Sequence, residues 1–228
     1  MNQEKMWKFF QEDNGFVFSA SIPRTSWLFR QATERYGRSF IHTLNIGIGN
    51  GWLEEWCLNR GWDSHAVDIV PETVARIREK GVNAVTGSID SLPYEDESMD
   101  IVFCSEVLEH LTQEVRTRGL QEIRRVLRPG GLLIGSTPVN ELLAGNTTCC
   151  PECGSVFHSS GHLKSFTKGT QREELEKHGF RVVKQYTSAF LDWSTQKWYG
   201  KVAMIPFWLV GRMGRGFAIV ICGFVCSK

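Results

Sequence analysis

Short apolar runs alternate with segments of helical periodicity from residue 40 to residue 138. Phe40 to Ile46, Gly61 to Asp68, Asn83 to Ser88, Asp100 to Ser105 and Leu132 to Ser136 read as strands. The interior of 100–105 is continuously apolar, the mark of a strand covered on both faces. Trp52 to Arg60 and Thr112 to Arg128 read as helices, the second closed by Pro129-Gly130-Gly131. Such alternation implies a parallel sheet with right-handed crossovers. Further on, Thr170-Gln171-Arg172-Glu173 has the form of a capping box opening a helix that Gly179 ends. Phe180 to Phe190 and Phe217 to Ser227 supply the last two strands. The expected fold is α/β, a doubly wound, seven-stranded, mostly parallel sheet. Residues 1–38 form a separate helical segment in which Trp27, Leu28, Ala32 and Tyr36 share a face. Residues 39–228 form the main domain, with insertions at 149–166 and 191–216.

The first strand runs into Gly47-Ile48-Gly49-Asn50-Gly51, and Asp68 ends the second. Glycines let the backbone turn sharply and approach a ligand where a Cβ would block it. A carboxylate at a strand tip can accept hydrogen bonds from two ribose hydroxyls. The pairing points to a nucleoside-bearing cofactor, or, on the turn alone, to no more than a tight turn. A dinucleotide fingerprint needs a third glycine where Trp52 stands. The Gly-x-Gly-x-Gly spacing suits instead a cofactor without phosphate, held by backbone groups around an amino-acid tail.

From Leu44 to Pro138 the chain resembles the class I S-adenosylmethionine-dependent methyltransferases, in particular those with an EVLEH segment. The matching pieces are LNIGIGNG at 44–51, AVDIVPETV at 66–74, TGSIDSLPYEDESMDIVFCSEVLEHL at 86–111 and EIRRVLRPGGLLIGSTP at 122–138. The resemblance implies a Rossmann-like fold and S-adenosylmethionine as cofactor. It also implies that Gly47, Gly49 and Gly51 line the methionine tail, that Asp68 holds the ribose, and that Ile69 lies against the adenine. Ser88 and Ile89 should flank the adenine edge, with Ser105 under the sulfonium. Ile69 and Ile89 read equally well as core packing. Asn45, also on the cofactor side, stands where the family usually has Asp or Glu, and Ser88 where it usually has Asp. Each swap removes a negative charge near a cationic cofactor. Methyl transfer from a sulfonium is a direct displacement, so the protein must align the partners and accept a proton where the acceptor releases one. His110 is the candidate base, with an ordinary pKa of about 6.5; the alternative is that it only holds the loop to the next helix. Glu106 and Glu109 have the same two readings.

Cys150-Pro151-Glu152-Cys153-Gly154, followed by His158 and His162, gives Cys-x2-Cys-x4-His-x3-His. This is similar to the knuckle of retroviral nucleocapsid proteins, and two thiolates with two imidazoles suit a tetrahedral, structural zinc. Cys149 is a spare. Among the seven cysteines no disulfide framework is spaced out, and the N-terminus lacks an apolar signal segment; both suggest a reducing, cytoplasmic setting. A net charge of +1 offers no broad basic surface to a polyanion. Residues 193–215 interleave Trp193, Trp198, Tyr199, Phe207 and Trp208 with Lys197, Lys201, Arg212 and Arg215. That segment either lies on a lipid surface or packs over the sheet, and Pro206 favours packing. The expectation is therefore a methyltransferase acting at oxygen on a small-molecule or lipid- or sugar-linked acceptor. The alternatives are an RNA methyltransferase gripping its substrate with the knuckle, and a catalytically inactive cofactor-binding module.

Overall fold

The computed structural model describes residues 3–13, 21–37, 39–190, 205–206 and 220–228. Its centre is a sheet of β1 (His42–Ile46), β2 (Asp63–Asp68), β3 (Asn83–Thr86), β4 (Met99–Ser105), β5 (Leu127–Val139), β8 (Arg181–Ser188) and β9 (Val220–Ser227). The order is β3-β2-β1-β4-β5-β9-β8. Neighbouring strands from β3 through β5 pair in parallel, and β9 runs antiparallel to both β5 and β8. The strands sit where the apolar runs place them, to within a few residues at their ends. Phe40 is exposed and β1 begins only at His42. β5 starts at Leu127, because the Pro129-Gly130-Gly131 segment bulges out of register between Met99↔Leu127 and Ile101↔Leu132.

Both faces of the sheet are covered, which explains why β4 alternates no polar residues. On one face α2 (Ile22–Tyr36) and α3 (Trp52–Asn59) pack Trp27, Leu28, Ala32, Leu53 and Cys57 against Ile101, Phe103, Ile134 and Val225. The aromatic face expected of the N-terminal segment is thus the face of α2. On the other, α5 (Gln113–Val126) and α6 (Lys168–Lys177) bring Leu120, Ile123, Val126 and Leu175 onto Val102, Cys104, Leu133 and Phe224. The helix α4 (Pro71–Arg78) packs Val74 and Ile77 with Ala66 and Ala84. Thr112 caps α5 by accepting from the Val115 amide. In α6 the cap is Thr167 rather than Thr170. Thr170 is the third helical residue and completes a reciprocal box with Thr167, so the motif begins three residues earlier than the sequence reading puts it.

Outside this frame, α1 (Gln3–Lys8) continues into a wider turn over Phe9–Asp13, and β6 (Thr147–Cys149) and β7 (Val156–His158) form a small exposed hairpin. Ile205 and Pro206 are the described part of 191–216; the aromatic and basic residues of that insertion lie outside the described residues. Among the described residues no helix is long and apolar enough to cross a membrane.

Gly135 lies between Cys104 on β4 and Phe224 on β9; a Cβ there would meet the Cys104 carbonyl at 2.1 Å and the Phe224 ring at 2.6 Å. Gly135→Ala is therefore expected to destabilise the fold by about 3 kcal/mol, at the upper end of overpacking effects. Gly169→Ala, in the first turn of α6 with only the Thr167 hydroxyl nearby at 3.7 Å, is expected to stabilise by up to about 1 kcal/mol. Urea unfolding of both variants checks the contrast.

Candidate functional site

The strand order reverses between β1 and β4, so their connections leave to opposite sides and a crevice opens at the C-terminal ends. A cavity of about 670 Å³ occupies it. Three glycines with left-handed φ, Gly47 (82°), Gly49 (58°) and Gly51 (81°), turn the chain from β1 into α3. The left-handed φ of Gly51 favours glycine, and a Cβ there would also meet the Ile77 δ-methyl at 2.2 Å and force that side chain to move. The buried Asp68 carboxylate accepts from the Ile48 amide (2.9 Å), the Val70 amide (2.9 Å) and the Gln11 side-chain amide (3.2 Å). Burial raises its pKa, and these donors oppose the rise. Two backbone amides fix the carboxylate at the mouth of the crevice and leave it acceptor capacity for a ligand.

Asn45, Gly47, Gly49, Gly51, Asp68, Ile69, Ser88, Ile89 and Ser105 all line this one cavity. For Ile89 both readings hold at once, since it also belongs to the core and covers Gly119. The two swapped positions each have a carboxylate at one remove. The Asn45 amide donates to Glu54 Oε1 at 2.7 Å, and the Ser88 hydroxyl bonds Asp90, which pairs with Arg118 at 3.1 Å. At the end of β4 a hydrogen-bonded chain crosses the cavity wall. Arg24 Nε donates to Ser105 Oγ (3.1 Å), the Ser105 and Ser136 hydroxyls lie 2.8 Å apart, and Ser136 donates to Glu106 Oε1 (2.8 Å). Because the Ser136 proton is committed to Glu106, Ser105 donates to Ser136. Glu106 holds a φ of 56°, left-handed for a non-glycine residue, and such strain is kept where surrounding structure dictates it.

Residues 44–135 match the family model described as a methyltransferase domain. A malonyl-[acyl-carrier protein] O-methyltransferase of Serratia marcescens is 31% identical over 130 residues, which are 56% of this chain and 49% of the relative. A ubiquinone biosynthesis O-methyltransferase of Xylella fastidiosa is 31% identical over 119 residues, 49% of this chain and 47% of the relative. The chain spans about half the length of the curated relatives it matches. Among solved structures, Burkholderia thailandensis 1,6-didemethyltoxoflavin-N1-methyltransferase, with 1,6-didemethyltoxoflavin and S-adenosylhomocysteine bound, superposes with a TM-score of 0.66 at 16% identity, covering 99% of this chain and 87% of that one. A chain of the complex between the Haloferax volcanii Trm112 methyltransferase activator and a methyltransferase gives 0.68 at 18% identity, covering 96% and 95%. At these identities the structural matches establish the fold.

His110 lines the cavity but is buried, and burial with His162 beside it pushes its pKa down to about 3. An imidazole so reluctant to take a proton is a weak base at neutral pH, contrary to the expectation from its ordinary pKa. The four expected zinc ligands do not converge. The knuckle itself forms at the tip of the β6–β7 hairpin, closed by the Cys150 amide on the Ser155 carbonyl and the Gly154 amide on the Cys150 carbonyl, both 2.9 Å. Hydrogen bonds from Ser155 and from Cys150 bring the exposed Cys153 thiol down to about 7. His158 stands at the hairpin's other end, opposite Thr147, stacked on His162 at 4.6 Å. Its Nδ1 accepts from the amides of Ser160 (3.3 Å) and His162 (3.2 Å), so its Nε2 carries the proton, facing Glu141 Oε1 at 3.3 Å. His158 Nε2 makes no hydrogen bond, and the groups that gather around it are Glu141 and His162 rather than the cysteines. No potential metal cluster among the described residues contains a cysteine.

Sequence reasoning missed Gln11, Arg24, Glu54 and Glu141. Each comes from a distant or unpatterned position, and a lone Gln, Arg or Glu on a helix or in a loop carries no spacing signal. Glu54 has a measurable consequence. Burial pushes its carboxyl from 4.5 up to about 7, although the Asn45 amide opposes the rise. The native state holds this proton more tightly than the unfolded chain does, so the stability it contributes is present below pH 4.5 and is lost as pH rises through about 7. Glu54→Gln keeps the Asn45 hydrogen bond. Its stability relative to wild type is expected to rise by roughly 3 kcal/mol between pH 4.5 and pH 8, from 1.36 kcal/mol per pKa unit. Denaturant unfolding at the two pH values checks this, and a difference that does not change with pH removes Glu54 as the buried titrating group.

Proposed function

We propose that the cavity binds S-adenosylmethionine and that the chain transfers its methyl group to oxygen on a small-molecule or lipid- or sugar-linked acceptor. The convergence of the glycine turn, Asp68 and Ser105 on one cavity carries this reading. The cavity is of the size that ligand sites occupy, roughly 300–1,000 Å³. Asp68 supplies acceptors for ribose hydroxyls, Ile69 and Ile89 supply apolar surface for a base, and the turn offers backbone groups to an amino-acid tail. When bound, the cofactor brings a methyl group already activated by a positive sulfur. The chain's own work is then alignment and handling of one proton.

Around the transferring methyl group the Arg24–Ser105–Ser136–Glu106 chain presents a neutral hydroxyl at Ser105 and keeps both charges at its ends. Glu106 lines the cavity and is the side chain best placed to receive the acceptor's proton, which His110 is poorly suited to do. Two relatives are O-methyltransferases by name, which supports oxygen as the acceptor atom. The reading as an inactive module is weakened at Ser88, where Asp90 stands behind the swapped position, and less so at Asn45, where Glu54 supplies a hydrogen-bond acceptor but holds its proton up to about pH 7. The RNA reading is weakened by a net charge of +1, since polyanion binding relies on phosphate neutralisation.

Calorimetric titration tests the reading. Wild type should bind S-adenosylmethionine, and Asp68→Ala should bind about 30- to 1,000-fold more weakly, the value of one or two charge-assisted hydrogen bonds at roughly 2–4 kcal/mol. Equal affinities would remove Asp68 from the site, and no binding by wild type would overturn the proposal. Transfer of labelled methyl to a panel of hydroxylated and carboxylated acceptors, soluble and lipid-linked, then identifies the acceptor class.

A further inference from the structure

A buried carboxyl group lies beside the cavity. Glu109 is fully buried, and neither of its side-chain oxygens has a hydrogen-bond partner among the described residues. Removing such a group from water without compensation is costly, so a buried carboxyl is paired, bound to a cation or kept protonated; burial, with the Glu106 charge nearby, raises the Glu109 pKa well above the ordinary value. Two imidazoles face it. His110 Nε2 lies 3.8 Å from Glu109 Oε1, the His110 and His162 rings are 4.7 Å apart, and one ligand atom from each of the three residues lies within 4.8 Å of the others.

The ring orientations are fixed from behind. His110 Nδ1 is 3.3 Å from the Gly161 carbonyl, which can only accept, so Nδ1 carries the proton and Nε2 presents a lone pair. His162 Nδ1 bonds Glu141 Oε2 at 2.5 Å, which turns the other nitrogen, Nε2, away from that carboxylate. A carbonyl or carboxylate behind each imidazole is the arrangement that orients histidines on metals. The backbone locks the two segments together, because the amides of Leu163 (2.8 Å) and Lys164 (3.1 Å) both donate to the Glu109 carbonyl. His110 and His162 also line the cofactor cavity.

We infer that Glu109, His110 and His162 bind a divalent transition-metal cation at the wall of the cavity, through one carboxylate and two imidazole nitrogens. Two nitrogens and one oxygen suit Zn²⁺, Mn²⁺, Fe²⁺ or Co²⁺. Three protein ligands leave coordination positions open, and their place in the cavity wall turns those positions toward the acceptor's side. The role rests on the methyltransferase reading, whereas occupancy does not. An acceptor hydroxyl or carboxylate bound there is held against the donor. A metal-bound hydroxyl loses its proton more readily: that proton passes to Glu106 or solvent as the C–S bond breaks and the C–O bond forms. The site uses His162 without His158 or the cysteines, and gives Glu141 the role of a positioning residue.

The test is titration of the chelator-stripped full chain with Co²⁺, followed by its visible absorption, with S-adenosylmethionine binding measured separately. Wild type should take up about one equivalent with the spectrum of nitrogen and oxygen ligation and no thiolate-to-metal band. Glu109→Gln and His162→Ala should each abolish saturable uptake. Both should be checked for native circular dichroism; Glu109→Gln is isosteric, and His162 is only partly buried, so a folding defect in one leaves the other decisive. Glu141→Gln should weaken Co²⁺ about 10- to 100-fold, as loss of a partner behind a ligand does, while the Cys150→Ser, Cys153→Ser double variant should bind as wild type does. No saturable uptake, uptake unchanged in both Glu109→Gln and His162→Ala, or a thiolate band lost with the cysteines would each overturn the inference. Cobalt uptake without S-adenosylmethionine binding would instead overturn the methyltransferase reading and uphold the metal site. Binding of S-adenosylmethionine without cobalt uptake would do the reverse.

Discussion

The structure depends on the parallel pairing of β1 with β4. These two strands are adjacent in the sheet but distant in sequence, and the chain leaves them in opposite directions across it. Any loop following β1 and any loop following β4 must therefore diverge, and the gap between them cannot be closed by the sheet itself. The glycine turn and Asp68 stand on one side of that gap, and Ser105, Glu106 and His110 on the other. Burial of both sheet faces holds the arrangement, because Val102 and Cys104 face one helical layer while Ile101 and Phe103 face the other. The cavity is a consequence of topology, and the residues around it inherit their positions from strand register.

How well the sequence could be read follows from this. Strand register is written in local apolar runs, so β1, β2, β4 and β5, and the residues at their C-terminal tips, were legible within a few positions. The glycine turn was legible because Gly47, Gly49 and Gly51 all take left-handed φ values that other residues rarely adopt. Side-chain pairing across elements has no such local signature. Asn45 read alone looks like a lost charge; read with Glu54 it is half of a buried hydrogen-bonded pair. Cys150 and Cys153 form the knuckle that their spacing predicts, yet the hairpin β6–β7 carries them to its tip and leaves His158 at its base. Spacing along a chain fixes ligand geometry only when the segment closes on itself, and a two-stranded ladder does the opposite.

The N-terminal helices add what the sheet lacks. The sheet offers the cavity a floor and two walls, all built from strand tips. Gln11 reaches Asp68 from one side, and Trp7 sets its ring edge-on to His110 at 4.5 Å from the other. Arg24, on α2, places its guanidinium on Ser105. Three contacts made by residues before the first strand therefore touch both halves of the crevice. Their sequence context is unpatterned because they are selected for reach into a site whose shape another part of the chain determines.

Charge placement is the last constraint. A site for a cationic cofactor gains from negative charge nearby, but a bare carboxylate against the sulfur would favour the charged ground state over a transition state in which that charge is dispersing. The carboxylates here are arranged accordingly. Asp68 is spent largely on backbone amides, Glu54 sits behind an amide and is protonated through much of the acidic range, and Glu106 is reached from Ser105 only through Ser136. Glu109, one shell behind the cavity lining, accepts no hydrogen bond among the described residues. Its two neighbours are imidazoles turned by Gly161 and Glu141, so the same wall that withholds charge from the methyl donor assembles acceptor groups where a cation would be most strongly held. Separation of a neutral hydroxyl surface at Ser105 from the carboxyl and imidazole groups of Glu109, His110 and His162 gives the cavity two chemically distinct ends.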